Sequence, residues 1–263
     1  MLLWLLACGG MGDPATTLRD VQVLTIASDP GVLGPGSVGT LDTFVADPVG
    51  EGIELLQWPC TPTSDGECAE HAAILDGTSE DWLGLTRSDQ TTLSVDIATP
   101  AALQPLLGPD PLPLWSVWTL ACAPGLCPLM EAQGDTLVEG LADPTELLVD
   151  LPIDGVSLTR GWVYGAAESS PAPGVSCSAP ETAAPEGEVL VSCTLDALLD
   201  DDSALYGYAT AGGWEAPFVE TGLSGPVEYA WYAPEDPGTV TLYVVVVDAR
   251  GGQGIWSGSL RVE

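Results

Sequence analysis

Nucleophilic catalysis needs an activating base, and this chain offers a single candidate, His71, with no lysine anywhere. No Gly-x-Ser-x-Gly elbow accompanies it, so His71 reads as a solvated loop residue. Glycoside hydrolysis uses a pair of carboxylates. With 38 acidic residues some pair always lies close, and no particular pair stands out. Asp200, Asp201 and Asp202, with Asp196 nearby, form the acidic run whose density suits calcium, a cation that takes six to eight oxygens. No D-x-D-x-D-G loop is present, and the alternative is a solvated acidic turn ahead of a strand at Leu205. Cys60 with Cys68-Ala-Glu-His71 offers half a zinc site, whose second half would be Cys122 and Cys127. Gly34-Pro-Gly36-Ser-Val-Gly39 spells the dinucleotide fingerprint, but a strand pattern follows where a helix is required, so it reads as a hairpin loop. Nine tryptophans stand against two phenylalanines. Trp58, Trp118 and Trp231 are expected to fill cores. Trp82, Trp214 and Trp256 lie near loop or edge signals, where an exposed indole would stack on a glycan or anchor a protein partner. These residue types offer binding rather than catalysis: no enzyme activity is expected, and no cofactor beyond calcium.

The amino-terminal run Met1-Leu-Leu-Trp-Leu-Leu-Ala-Cys8 is apolar and ends in Leu5-Leu6-Ala7-Cys8-Gly9. It resembles the bacterial lipobox. That resemblance implies cleavage before Cys8 and diacylation of its sulfur, leaving residues 1–7 as signal remnant and 8–18 as a lipidated tether. Gly9 and Gly10 follow the cysteine with no aspartate, which by the sorting rule of such proteins implies the outer membrane, on its periplasmic or cell-surface side. Two acyl chains anchor stably without a spanning helix, and no stretch approaches 18 consecutive apolar residues. The alternative is a buried amino-terminal strand carrying a stray cysteine.

Seven cysteines, an odd number, ask for an explanation in an exported protein. Assigning Cys8 to lipid leaves six. Chain order favours the local pairs Cys60–Cys68, Cys122–Cys127 and Cys177–Cys193, although six cysteines allow 15 connectivities. The main competitor joins Cys60 to Cys122 as an inter-sheet bridge. Disulfides persist in oxidising compartments, in agreement with export.

The formal net charge is -33, from 38 acidic and 5 basic residues, all five of them arginine. Only 16% of residues are charged, against roughly 25% in an average protein, so the acidity comes mainly from missing cations. A body this negative cannot bind nucleic acid or anionic headgroups through its surface charge. The membrane is then reached through acyl chains, and the remaining partners are a protein or a glycan. Hydrophobic residues make up 46% of the chain, enough for a core. The 31 glycines and 23 prolines break helices and favour short strands joined by turns.

The elements that must position these residues read as strands throughout. Thr91–Ile97 alternates Leu93, Val95 and Ile97, and Leu114–Cys122 sends Trp118 and Leu120 to one face and Trp115 and Val117 to the other. Asp20–Ala27, Ser37–Asp47, Ile53–Cys60, Val156–Tyr164, Val189–Leu195, Leu205–Thr210, Val227–Tyr232, Thr239–Asp248 and Ile255–Val262 complete the set. Thr99-Pro100 opens one helical turn that Pro105 stops. The pattern restarts near 150–154, which divides the chain into domain 1 at 19–152 and domain 2 at 153–263. Ala230-Trp231, Pro237-Gly238, the run Thr239–Asp248, Gly251-Gly252 and the closing strand to Val262 resemble the PKD/immunoglobulin-like class over roughly residues 200–263. The Trp-Asp-Phe-Gly-Asp-Gly motif of PKD domains is absent. The whole layout resembles a group of tandem β-sandwich lipoproteins from GC-rich Gram-negative bacteria. That implies an all-β chain of two tandem immunoglobulin-like/PKD-like β-sandwiches, acting as a non-catalytic binding, adhesion or spacer module. The alternatives are a calcium-stiffened adhesive stalk and a carboxylate-dependent carbohydrate-active enzyme.

Overall fold

Period-2 apolar alternation turns into strand pairing in both halves of the chain. The computed structural model describes residues 16–60, 86–126, 155–196, 203–220, 226–248 and 252–263. The first sandwich contains β1 (Gln22–Asp29), β2 (Val32–Leu33), β3 (Val38–Ala46), β4 (Glu54–Cys60), β5 (Thr86–Ser88), β6 (Thr92–Ala98), β7 (Leu112–Cys122) and β8 (Val156–Gly165). Its two sheets are β1-β3-β6 and β2-β8-β7-β4-β5. Between them lies a core that includes Leu41, Leu55, Ile97, Leu114, Trp115 and Val117. Thr99 does not cap the helical turn expected after it: a 3₁₀ turn lies at Gln104–Leu106, follows Leu103 and contains Pro105, while the Thr99 hydroxyl donates to the Gly34 carbonyl.

The second sandwich contains β9 (Gly174–Ser178), β10 (Thr182–Ala183), β11 (Glu188–Asp196), β12 (Ala204–Ala209), β13 (Gly213–Trp214), β14 (Phe218–Glu220), β15 (Val227–Tyr232), β16 (Gly238–Val247) and β17 (Gln253–Val262). Its sheets are β13-β15-β11-β9 and β10-β17-β16-β12-β14. Among the described residues the two sandwiches share one topology, with β13 added in the second. β1, β3 and β6 correspond to β9, β11 and β15 in one sheet, and β2, β4, β5, β7 and β8 correspond to β10, β12, β14, β16 and β17 in the other. A two-residue strand (β2 or β10) runs parallel to the last strand of its own unit. This is the immunoglobulin-like strand arrangement, so the fold is a tandem of immunoglobulin-like β-sandwiches.

The boundary expected at 152/153 is not where the units divide. β8 pairs with β7 over a long antiparallel ladder, from Cys122↔Val156 to Leu112↔Gly165, and so closes the first sandwich. The break in pattern at 150–154 lies outside the described residues, between β7 and β8 of that sandwich. Strand spacing alone does not say to which sheet a strand belongs; backbone hydrogen bonding does. The junction lies instead between Gly165 and Gly174. β2 and β10 are not among the strands expected from the sequence, being too short for periodicity to show.

β1 is buried on both faces. Its ladder with β3 shifts register between Val23 and Thr25, a bulge that leaves Leu24 as the extra residue. Val23 and Ile26 point into the first core. Leu24 packs instead with Leu18, Ala46 and Val245 against Tyr206, Tyr208, Tyr243 and Ile255 of the second sandwich. Thr25 Oγ1 donates to Gln253 Oε1, and the Ile26 amide donates to the same oxygen at 3.4 Å. One strand thus serves as a wall of both bodies.

The second core is built around Trp214, Trp231 and Tyr229, all essentially inaccessible. Trp214 and Tyr229 ring centroids are 4.3 Å apart. Gly207 lies under the Trp214 ring, where an added Cβ would come within 2.6 Å of it. Gly207→Ala is therefore expected to destabilise the protein by about 1–3 kcal/mol through overpacking, read as a lower denaturant midpoint at unchanged slope.

Candidate functional site

The residues that the sequence nominated do not converge on one site. Cys8, Cys68, His71, Trp82, Cys127, Asp200, Asp201 and Asp202 lie outside the described residues. Asp196 ends β11. Among the described residues no group of three or more His, Cys, Asp or Glu side chains is placed to hold a metal ion. Trp256 on β17 is half-buried and packs against the second core. Trp214 is fully buried, which corrects its assignment as an exposed stacking residue. Its backbone sits in a two-residue edge strand, so the neighbouring Gly and Glu residues give it a loop-like sequence signature. The side chain nevertheless fills the space that Gly207 leaves open.

Cys177 and Cys193 form the expected local disulfide. They face one another across β9 and β11, within one sheet. Cys122 is also disulfide-bonded. A Cys60–Cys122 bridge is excluded by register: Cys60 pairs with Ser116, whereas Cys122 pairs with Glu54 at the other end of the same ladder. Six ladder positions span about 20 Å, and a disulfide needs Cα atoms within about 7 Å.

Sequence reasoning missed the residues that do come together. Arg160 lies over the rings of Trp118 and Trp162, with its guanidinium carbon 5.0 and 4.2 Å from the two centroids. Its Nε donates to Ser116 Oγ at 2.8 Å. The β7–β8 register pairs Trp118 with Arg160 and Ser116 with Trp162. All four side chains share the sheet face turned away from Trp115 and Val117. The signal was present as two i, i+2 pairs, Ser116-Val-Trp118 and Arg160-Gly-Trp162, on strands that become neighbours only in the fold. The indole faces and the hydroxyl are among the contacts that hold this cation on the β7–β8 ladder.

A polar trio sits inside the first core. Gln57 is fully buried, and its Nε2 donates to Thr43 Oγ1 and to Thr119 Oγ1, the latter at 3.2 Å. Near the junction a surface depression of about 600 Å³ is lined by Val32, Pro109, Asp110, Pro111, Glu168 and Ser170, among others. Two carboxylates beside apolar walls suit a cationic or amphiphilic group.

No protein-family model and no curated protein matches the sequence. Among solved structures the chain is similar to E. coli alpha-2-macroglobulin, at 11% identity and TM-score 0.26 over 96% of this chain and 17% of that one. It is similar to titin domains I67–I69 at 9% identity and TM-score 0.25, over 94% and 66% respectively. It is also similar to PorU from Porphyromonas gingivalis at 10% identity and TM-score 0.23, over 93% and 24%. The chain therefore spans about a sixth of the alpha-2-macroglobulin chain. Whole-chain superpositions this loose carry no argument; the fold assignment rests on the strand order above.

Two stability measurements follow from these contacts. Cys177 and Cys193 are separated by 16 residues. Replacing both with serine is expected to lower stability by about 3 kcal/mol through loss of loop closure, seen as a lower unfolding midpoint. Arg160→Ala is expected to cost about 1–2 kcal/mol and to change tryptophan emission. Arg160→Lys should recover only part of this, because an ammonium lacks the planar surface that stacks on two rings.

Proposed function

We propose that the chain is an exported lipoprotein, held at the outer membrane by acyl chains on Cys8, whose tandem sandwiches act as a non-catalytic binding, adhesion or spacer module. The observation that carries this reading is the disulfide chemistry. Cys177–Cys193 and the bonded Cys122 call for an oxidising compartment, and the lipobox-like sequence at Cys8 supplies both the export signal and the anchor. The first described residue is Thr16. It lies eight positions after Cys8, a reach of at most about 29 Å. The body would thus stay close to the bilayer while its charge of -33 keeps it from lying on an anionic surface within about 8 Å, one Debye length. Binding through the sandwich faces or loop ends needs no catalytic residues.

Mass spectrometry of the membrane-extracted protein tests the anchor. A mature chain beginning at a diacylated Cys8 is expected, and Cys8→Ser should move the protein from the membrane to the soluble fraction. An unmodified amino terminus at Met1 in soluble protein would sink the proposal.

A further inference from the structure

Three residues that precede the first sandwich are bound to the second. The Trp214 amide donates to Thr16 Oγ1 at 2.9 Å. Thr17 Oγ1 donates to the Gly212 carbonyl, and Thr17 forms a parallel bridge with Ala209. The Leu18 amide donates to the Ala209 carbonyl at 2.7 Å. The Leu18 side chain is 3% exposed and joins Leu24, Ala46 and Val245 in the apolar seam between the sandwiches. The receiving turn is tightly specified. Gly212 has φ +69°, and a Cβ there would lie 2.2 Å from the Tyr232 carbonyl oxygen, so only glycine fits. Thr16 and Thr17 use side-chain oxygens where the turn presents backbone groups, so the segment is read by the second sandwich at every residue.

We propose that Thr16–Leu18 is a clasp that latches the amino-terminal side of the first sandwich onto the second, so that the two move as one body and the preceding chain departs from the second sandwich. Covalent order alone gives the opposite expectation, since the preceding chain is joined directly to β1 of the first sandwich. With the junction segment 166–173 alone, relative motion of the two units would be the default. The β1 seam and its Thr25–Gln253 bond oppose it, and the clasp extends that attachment to the residues before β1. Tension applied through residues 1–15 then loads the Leu18–Ala209 and Thr17–Gly212 hydrogen bonds before it reaches β1. The clasp is independent of acylation at Cys8. If both hold, the second sandwich's Ala209–Trp214 turn lies nearest the bilayer, and the first sandwich is attached through the second.

Hydrogen exchange on the full chain tests the clasp directly. The Leu18 amide is expected to exchange at least about 100-fold more slowly than in an unstructured chain. Leu18→Asp should abolish that protection and raise the radius of gyration measured by small-angle scattering by about a tenth or more as the units separate. Should Leu18→Asp fail to fold, the double variant Thr16→Val/Thr17→Val, which deletes only the side-chain bonds to the second sandwich, should lower Leu18 protection at least about ten-fold. Unprotected Leu18 in the unaltered chain overturns the proposal. So does a folded Leu18→Asp protein of unchanged size, or a double variant of unchanged protection. None of these readouts depends on lipid, so a soluble, unacylated protein with a protected Leu18 would refute the anchor and leave the clasp standing.

Discussion

The two-sided burial of β1 is the constraint on which the rest of the molecule depends. A strand with regular alternation sends one set of side chains to a core and the other to solvent. Here the bulge at Leu24 lets Val23 and Ile26 stay in the first core while Leu24 and Thr25 both turn toward the second sandwich. Without that extra residue Ile26 would face outward and the seam would lose its apolar contact or the core its isoleucine. β8 accommodates the strand by offering no side chain at Gly161, where a Cβ would meet that of Ile26 at 2.8 Å.

The seam is aromatic as well as apolar. Burial raises the Tyr208 hydroxyl above its ordinary 10.0, with Tyr206 adding to the shift. Burial does the same for Tyr243, reinforced by the Asp47 carboxylate of the first sandwich. Because the protonated forms are favoured in the folded state, this contribution is complete below pH 10 and is lost as the pH rises through the raised values. Near neutral pH this contribution of the two tyrosines is therefore constant. The same carboxylate of Asp47 accepts the Gly50 and Gly52 amides at 2.8 and 2.9 Å, which fixes the turn that follows β3.

Each sandwich solves the core problem differently on the same topology. The second uses two buried tryptophans and a tyrosine, and its disulfide ties two strands of one sheet; the sheets are held together by packing. The first places a Gln57–Thr43–Thr119 trio between its sheets and a stacked Arg160 on its outer face. Arg160 is half-buried beside the two indoles, whereas Arg19 and Arg261 are exposed.

Composition and periodicity by themselves determined the all-β class, the tandem of units and most long strands. Apolar alternation in segments such as Thr92–Ala98 and the long Thr/Val run through Val247 leaves few alternatives, and glycine and proline density excludes helices. The local Cys177–Cys193 pair was also legible, because short separation favours closure. Tertiary structure alone decided which sheet each strand joins. β8 belongs to the first sandwich because β7 supplies its hydrogen bonds, a fact invisible in a one-dimensional pattern. It likewise decided that Trp214 is core rather than surface, that Arg160 meets two tryptophans from neighbouring strands, and that Thr16–Leu18 lies on the second sandwich. Periodicity reports which way a side chain points within its own strand; only the completed fold determines what is there to meet it.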